Sequence, residues 1–237
     1  MKGIVFDLDN TLYDRYETIR KILQKNYDRI SPHINPGYDF EKTYQHACRT
    51  EALYICEGWK SIYEHLCREH FFNEENIPEY APFFDLVLNG LSECAVGFDG
   101  IRDFLTDLRA RGYKLGIITN CQNNAVQRKK LQNLGFDDTL FDVIVLSGEY
   151  AQEVCGDPSN PRYHKPHPEI FRYTAEKLGI APAELYYVGD SPSNDVVGSR
   201  KGGYVPIWIR SRSPWVLENK DLPERCVDHV KDIVKFL

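Results

Sequence analysis

The sequence contains no Cys-x-x-Cys pair, and its seven cysteines are odd in number. A disulfide framework usually shows paired cysteines in a small secreted chain, and a zinc site usually shows closely spaced cysteine or histidine ligands. The cysteine pattern therefore favours reduced thiols in a cytoplasmic protein over disulfides or structural zinc.

An excess of basic residues and a long apolar run are also missing. The 35 Asp and Glu residues outnumber the 29 Lys and Arg residues and give a net charge of -6, whereas nucleic-acid-binding surfaces need clustered positive charge. No stretch approaches the roughly 18 apolar residues typical of a membrane span, and acids interrupt the N-terminal segment too early for a secretory signal. We expect no nucleic-acid partner and no membrane association. A small phosphorylated substrate stays compatible, because one lysine and one metal ion can supply local positive charge.

Short apolar runs alternate with helix-like segments over much of the chain. This alternation predicts an α/β fold with a parallel sheet. Asp99 is placed to cap the helix that follows it, and Gly135 and Gly179 are placed to end two later helices. The runs that predict strands are Gly3–Phe6, Leu115–Ile118, Val143–Leu146, Leu185–Val188 and Val205–Ile209.

Residues 15–95 differ from the rest because they contain no good strand candidate. Apolar side chains recur there at helical spacing, and Ser31-Pro32 ends the first such stripe. The rings between Tyr54 and Phe72 are more typical of a helical core than of a substrate clamp. We therefore predict a core of residues 1–14 and 96–237 and an inserted helical domain of residues 15–95, which we term the cap. The first stripe is Ile19, Ile22, Leu23, Tyr27 and Ile30.

Acidic residues follow two of the predicted strands. Asp7 and Asp9 come directly after the first, and Asp190 follows the run that ends at Val188. Ligands of parallel sheets bind beyond the carboxyl ends of the strands. Two carboxylates two residues apart in an extended segment lie on the same side and repel unless a cation or a shared proton intervenes. Because Mg²⁺ favours carboxylate oxygens, Asp7 and Asp190 are candidate metal ligands if their strands are neighbours.

Four further residues complete a set of polar clusters at strand ends or helix starts. Thr119 and Asn120 follow a strand and could hold an anionic oxygen, Lys165 precedes a helix, and Asp195 lies shortly after Asp190. Taken singly, these features are typical of ordinary turns and of a solvated surface lysine. Four such clusters in one chain favour a functional site over that ordinary interpretation.

These motifs resemble those of the haloacid-dehalogenase-like hydrolase superfamily, in order and spacing and over essentially the whole chain. The run Asp-Leu-Asp-Asn-Thr-Leu from Asp7 is similar to the first motif of that family. Thr119 and Lys165 match its second and third motifs, and Asp190 with Asp195 matches its fourth. The wide gap after the first motif resembles members that carry a helical cap of the first type. The resemblance implies a Rossmann-like core whose central strand ends at the first motif.

The resemblance also implies a Mg²⁺-dependent phosphatase that acts on a small phosphorylated metabolite. Asp7 would be the nucleophile that forms an aspartyl-phosphate, and Asp9 the general acid and then the general base. Mg²⁺ would be held by Asp7, the main-chain carbonyl of Asp9, and Asp190, with Asp195 behind these ligands. The phosphoryl oxygens would be bound by the residues of the second and third motifs: Thr119, Asn120 and Lys165.

Alternatives to a phosphatase stay open at this point. Dehalogenation expels a halide, which needs no proton, so an acid at Asp9 favours phosphate esters. A phosphomutase of the same family would use the same first motif and would need a bisphosphate for turnover. A non-catalytic binding protein on this fold would be expected to lose at least one motif residue, and none is missing here. The sequence does not choose between a monomer and a homodimer.

Overall fold

The structure is a computed structural model that describes residues 2–121, 123–210 and 222–237. The chain divides into two compact units. One comprises the residues up to Asp14 together with those from Gly97 onward, and the other is Arg15–Val96. None of the helices in the described ranges is both long enough and apolar enough to cross a lipid bilayer.

The unit Arg15–Val96 is built from helices, with one isolated bridge between Ile34 and Phe72. Ile62 and Leu66 pack with Phe71 and Phe72 in its apolar core. The two phenylalanines are about as buried as the aliphatic residues, which confirms their interpretation as core residues. The helices are α1 (Arg15–Ile30), α2 (Phe40–Tyr54), α3 (Trp59–Arg68) and α4 (Tyr80–Glu93).

The other unit contains a parallel sheet whose described strands run in the order β3-β2-β1-β4-β5-β6. The predicted Rossmann-like α/β core with a parallel sheet is thus confirmed. Since helices cover both faces of such a sheet, its central strands consist mostly of apolar residues. The strands are β1 (Gly3–Phe6), β2 (Lys114–Thr119), β3 (Val143–Leu146), β4 (Leu185–Gly189), β5 (Val205–Ile209) and β6 (Cys226–Val227).

Two helices of the sheet unit end at the glycines that the sequence predicts. Gly135 and Gly179 close two of them in the left-handed conformation, with φ of 66° and 67°. Ile170 and Phe171 are fully buried and pack in one cluster with Val5 and Tyr187, which fixes the last helix before β4 on the sheet. The helices are α5 (Ile101–Ala110), α6 (Asn124–Leu134), α7 (Ser147–Cys155), α8 (Pro168–Leu178) and α9 (Gly198–Lys201).

The prediction that Asp99 caps α5 is wrong. Gly100 occupies the cap position, with φ of 62°, and no side chain caps the helix. The left-handed residue turns the chain one position later than expected, so the Asp99 carboxylate is not next to the first free N–H groups of α5. The Asp99 carbonyl instead accepts a hydrogen bond from Lys231 Nζ at 2.9 Å.

Candidate active site

The polar residues of the predicted motifs meet at the carboxyl edge of the sheet. β1 lies between β2 and β4, and all three strands run in the same direction. Phe6 is in register with Val188, and the Asp7 N–H donates to the Val188 carbonyl at 2.8 Å. This edge therefore carries Asp7 after β1, Thr119 at the end of β2 and Asp190 after β4. It is the edge at which parallel sheets bind ligands.

Lys165 is the centre of a buried hydrogen-bond cluster at this edge. Its Nζ donates to Asp7 Oδ1 at 2.5 Å, to Asp195 Oδ1 at 2.8 Å and to the Tyr187 hydroxyl at 3.0 Å. The side chains of Lys165, Asp7 and Asp195 are all less than one-tenth exposed. Since a buried ammonium group needs charged or polar partners, these contacts explain how the lysine is held inside the protein.

The charges at this edge do not balance. Burial raises the pKa of Asp7 well above its ordinary value; Lys165 opposes this shift, whereas Asp195, Asp190 and Asp9 add to it. Burial alone would lower the pKa of Lys165, but Asp195 and Asp7 hold that pKa above its ordinary value. Lys165 thus lies beside a group of three carboxylates, those of Asp7, Asp190 and Asp195, and this group retains an excess of negative charge.

A bound metal ion would neutralise this excess of negative charge. One carboxylate oxygen from each of Asp7, Asp190 and Asp195 lies within 4.8 Å of the other two, and all three residues are buried. Carboxylate oxygens are the donors that hard divalent cations prefer. Asp195 already accepts from Lys165 and Tyr187 through Oδ1 and from the Ser191 N–H through Oδ2. Both oxygens of Asp195 are thus already engaged by donors of the protein.

The close approach of Asp195 depends on the last residue of β4. A Cβ atom at Gly189 would lie 2.4 Å from Asp195 Cγ, closer than real contacts allow. The indole N–H of Trp208, on β5, holds the next residue by donating to the Asp190 carbonyl at 2.9 Å. The glycine thus lets the fourth motif fold back against the end of its own strand.

Asn120 acts on the loop that carries Lys165. Its Nδ2 donates to the Lys165 carbonyl at 2.8 Å, and its Oδ1 accepts from the Lys165 N–H at 2.9 Å. This reciprocal pair occupies the side-chain amide that the sequence suggested for binding an anionic oxygen. The amide therefore orients the third motif, while one Nδ2 proton is left over, so that phosphate binding by Asn120 stays a prediction.

Asp9 lies in a tight turn rather than in an extended segment. The N–H groups of Thr11, Leu12 and Tyr13 all point to the Leu8 carbonyl at 2.9–3.3 Å. The turn directs the Asp9 carboxylate toward α6, where Oδ1 accepts from Lys130 Nζ at 2.8 Å. The expectation that the segment stays extended through Asp9 thus fails at Leu8, although the charge of Asp9 still acts on Asp7.

The amide of Gln127 links two of the predicted site residues. Its Nε2 donates to Thr119 Oγ1 at 2.8 Å and to Asp9 Oδ2 at 3.3 Å. Sequence reasoning missed Gln127, Lys130 and Tyr187. The sequence contained a signal for Gln127 and Lys130. Positions 127, 130, 131 and 134 form the buried stripe of α6, and these two residues are polar where apolar residues are expected.

Comparisons with known proteins find a matching family and similar sequences. A family model described as haloacid dehalogenase-like hydrolase matches residues 1–203. The glyceraldehyde 3-phosphate phosphatase of Pyrococcus abyssi is 25% identical over 214 residues, which cover 89% of this chain and 82% of the relative. The N-acylneuraminate-9-phosphatase of Mus musculus is 24% identical, over 100% of this chain and 94% of the relative.

The fold has a counterpart among solved structures. The hydrolase YfnB from Bacillus subtilis, solved with bound magnesium, superposes with a TM-score of 0.75 at 20% identity. The match covers 100% of this chain and 98% of that one. At that identity the likeness concerns the fold alone.

Proposed function

Since the chain belongs to the haloacid dehalogenase-like hydrolases, we propose that it is a Mg²⁺-dependent phosphatase that hydrolyses a small phosphorylated metabolite through a phosphorylated Asp7. The observation that carries this proposal is the buried Asp7–Lys165 contact beside Asp190 and Asp195. The phosphatase class is supported by the curated phosphatases that match most of the chain.

Asp7 is the candidate nucleophile. Its carboxylate follows the central strand, and its contact with Lys165 favours the ionised form that attack requires. In the first step an Asp7 oxygen bonds to phosphorus while the bond to the ester oxygen breaks. The bonding electron pair leaves with that oxygen.

Asp9 is the candidate acid and base. In the first step its carboxyl donates a proton to the departing ester oxygen. In the second step the resulting carboxylate takes a proton from water, which attacks phosphorus. The Asp7–phosphorus bond then breaks, and inorganic phosphate and the Asp7 carboxylate are restored. An alkoxide leaving group needs this proton, whereas a halide does not, and so Asp9 supports ester hydrolysis over dehalogenation.

Phosphoryl transfer depends mostly on positioning and charge neutralisation. Thr119 and Lys165 would bind phosphoryl oxygens, and Asn120 would hold the Lys165 loop in place. Asp7, Asp190 and the Asp9 main-chain carbonyl would hold Mg²⁺, with Asp195 engaged behind them. The ion would neutralise phosphoryl charge. We assign the helical unit Arg15–Val96 the role of cap.

The proposal is tested by the separate roles of the two acids. Asp7→Asn should abolish turnover and leave no phosphate bound to the protein. Asp9→Asn should slow turnover by about 10²–10⁴-fold. The leaving group of nitrophenyl phosphate needs little protonation. With this substrate the Asp9→Asn variant should still transfer the phosphoryl group to Asp7, while the attack of water on phosphorus is impaired. Phosphoenzyme should therefore accumulate in Asp9→Asn, and acid quench followed by intact-mass measurement would detect it.

The matched control is the wild-type enzyme quenched under the same conditions, where phosphoenzyme turns over and accumulates less. A covalent phosphate on Asp7→Asn would identify another nucleophile and overturn the proposed mechanism. Turnover that appears only after a sugar bisphosphate is added would favour a mutase instead.

A further inference from the structure

We propose that Lys130 and Gln127, on one face of α6, are positioning residues that orient the Asp9 carboxyl and the Thr119 hydroxyl for phosphoryl transfer. The inference rests on the proposed function, because it assigns these two residues to the same reaction. It adds a helix to the site that lies outside the four sequence motifs.

Lys130 is placed where folding alone would favour an apolar side chain. Its side chain is 4% exposed and belongs to the buried stripe of α6 that continues with Leu131 and Leu134. Its Nζ lies 2.8 Å from Asp9 Oδ1 and 4.4 Å from the centroid of the Tyr13 ring. A buried ammonium group carries a large desolvation cost, and an apolar residue at such a site is often as stabilising. The lysine is therefore better explained by its contact with Asp9 than by stability.

Gln127, on the same face of α6, donates from its side-chain amide to the Thr119 hydroxyl oxygen. Because the Thr119 oxygen accepts from Gln127, the hydroxyl proton points away from this amide. Its acceptor in the structure is the Asn120 carbonyl at the long distance of 3.4 Å, a weak contact that a phosphoryl oxygen can replace. The amide also reaches Asp9 Oδ2, at the longer distance of 3.3 Å. Gln127 and Lys130 are themselves nearly fully buried.

The two contacts fix the orientation of the Asp9 carboxyl. Oδ1 is held by the short contact with Lys130, and Oδ2 has the longer and weaker contact with Gln127. We therefore assign the proton transfer to Oδ2, the oxygen with the longer contact to α6. A catalytic group held in one orientation reacts faster than one that samples several, and a displacement of about 1 Å can cost about 10²-fold in rate.

The experiment compares two esters that depend differently on the acid. Lys130→Met should lower kcat/KM for ethyl phosphate by about 10–100-fold, since its alkoxide must be protonated as it leaves. For nitrophenyl phosphate the loss should be about threefold or less, because the phenolate leaves without strong assistance. Lys130→Arg retains the charge and should restore most of the activity on ethyl phosphate.

Two controls separate positioning from general damage. Lys129 is the exposed neighbour on the same helix, and Lys129→Met should match the wild type with both esters. In an Asp9→Asn background, Lys130→Met should cause little additional loss with ethyl phosphate, because residues that act through one group are not additive. Gln127→Leu should weaken competitive inhibition by inorganic phosphate, since Thr119 would lose its orienting donor.

Equal losses with the two esters, or a full additional loss in the Asp9→Asn background, would overturn the role of Lys130. Unchanged phosphate inhibition in Gln127→Leu would overturn the role of Gln127. If Lys130→Met does not fold, the ester ratio of Lys130→Gln, which lacks the charge, decides: a ratio far from wild type without loss of melting temperature supports positioning, and a wild-type ratio contradicts it. A wild-type enzyme inactive on both esters would instead refute the proposed function.

Discussion

At the scale of single residues, the site consists of charged side chains that are buried and paired with one another. Asp7 and Asp195 share one ammonium group, that of Lys165, away from bulk water. Removing one partner of a buried pair costs more than the pair contributes, because the other charge is left uncompensated. The three side chains therefore act as one unit, and a change at any of them is expected to disturb the other two.

Cys121 provides a test at this scale that is independent of catalysis. Burial raises the pKa of its thiol, whose Sγ donates to Asn124 Oδ1 at 3.0 Å. A higher thiol pKa means less thiolate at neutral pH, and thiolate is the reactive form. We expect iodoacetamide at pH 7.5 to modify Cys121 several-fold more slowly than the exposed Cys155, with a rate that still rises above pH 9. Peptide mass spectrometry over time would measure both rates, and faster modification of Cys121 would contradict this view of its surroundings.

At the scale of secondary structure, the end of β4 has no room for a side chain. Gly189→Ala would force its new methyl group against the buried Asp195. Overpacking of this kind typically costs about 1–3 kcal/mol, and here it should also displace a partner of Lys165. We expect the variant to unfold at lower urea concentration and to lose activity. Chemical denaturation and kcat measurements would check both effects, and wild-type values for both would show that Asp195 can move without consequence.

The same scale shows what the sequence could predict. The apolar run that became β1 was predictable because a strand buried on both faces is a continuous apolar run. The stripe that became α1 was predictable because burial of one helix face imposes helical spacing. The contact between Asp9 and Lys130 was not, because it depends on how a tight turn faces a helix more than a hundred residues later. The prediction that Asp99 caps α5 was wrong because Gly100 occupies the cap position.

At the scale of the whole molecule, the strand order of the sheet brings the site residues together. Asp7, Thr119 and Asp190 lie together because parallel strands end at one edge and the strand order places β2 and β4 on either side of β1. The residues alone left this strand order open, and the family resemblance implied it. Their individual roles stay proposals. The partners of Asn120 could not be read from the sequence, because they depend on how the loop before α8 crosses that edge.

Metal binding should increase the free energy of unfolding of the whole protein. A ligand that binds only the folded state adds about 2.7 kcal/mol at 100 times its Kd. For a chain of this size that corresponds to a Tm increase of roughly 5–10 °C. We expect Mg²⁺ to raise the Tm by this amount and to restore activity lost in EDTA, and Asp190→Asn to lose most of both effects. Differential scanning fluorimetry with and without EDTA would measure the shift. Full activity in chelator would contradict a metal-dependent reaction.

The central place of β1 in the sheet has a consequence for synthesis on the ribosome. Its first partner, β2, begins at Lys114, more than a hundred residues after Phe6. At about 5–20 residues per second, the nucleophile's strand waits roughly 5–20 s before it can pair. All of Arg15–Val96 is translated within that interval. The nascent chain therefore completes its helical segment while the strand that leads to Asp7 is still an unpaired apolar stretch, and the active site assembles only after residue 195 has emerged.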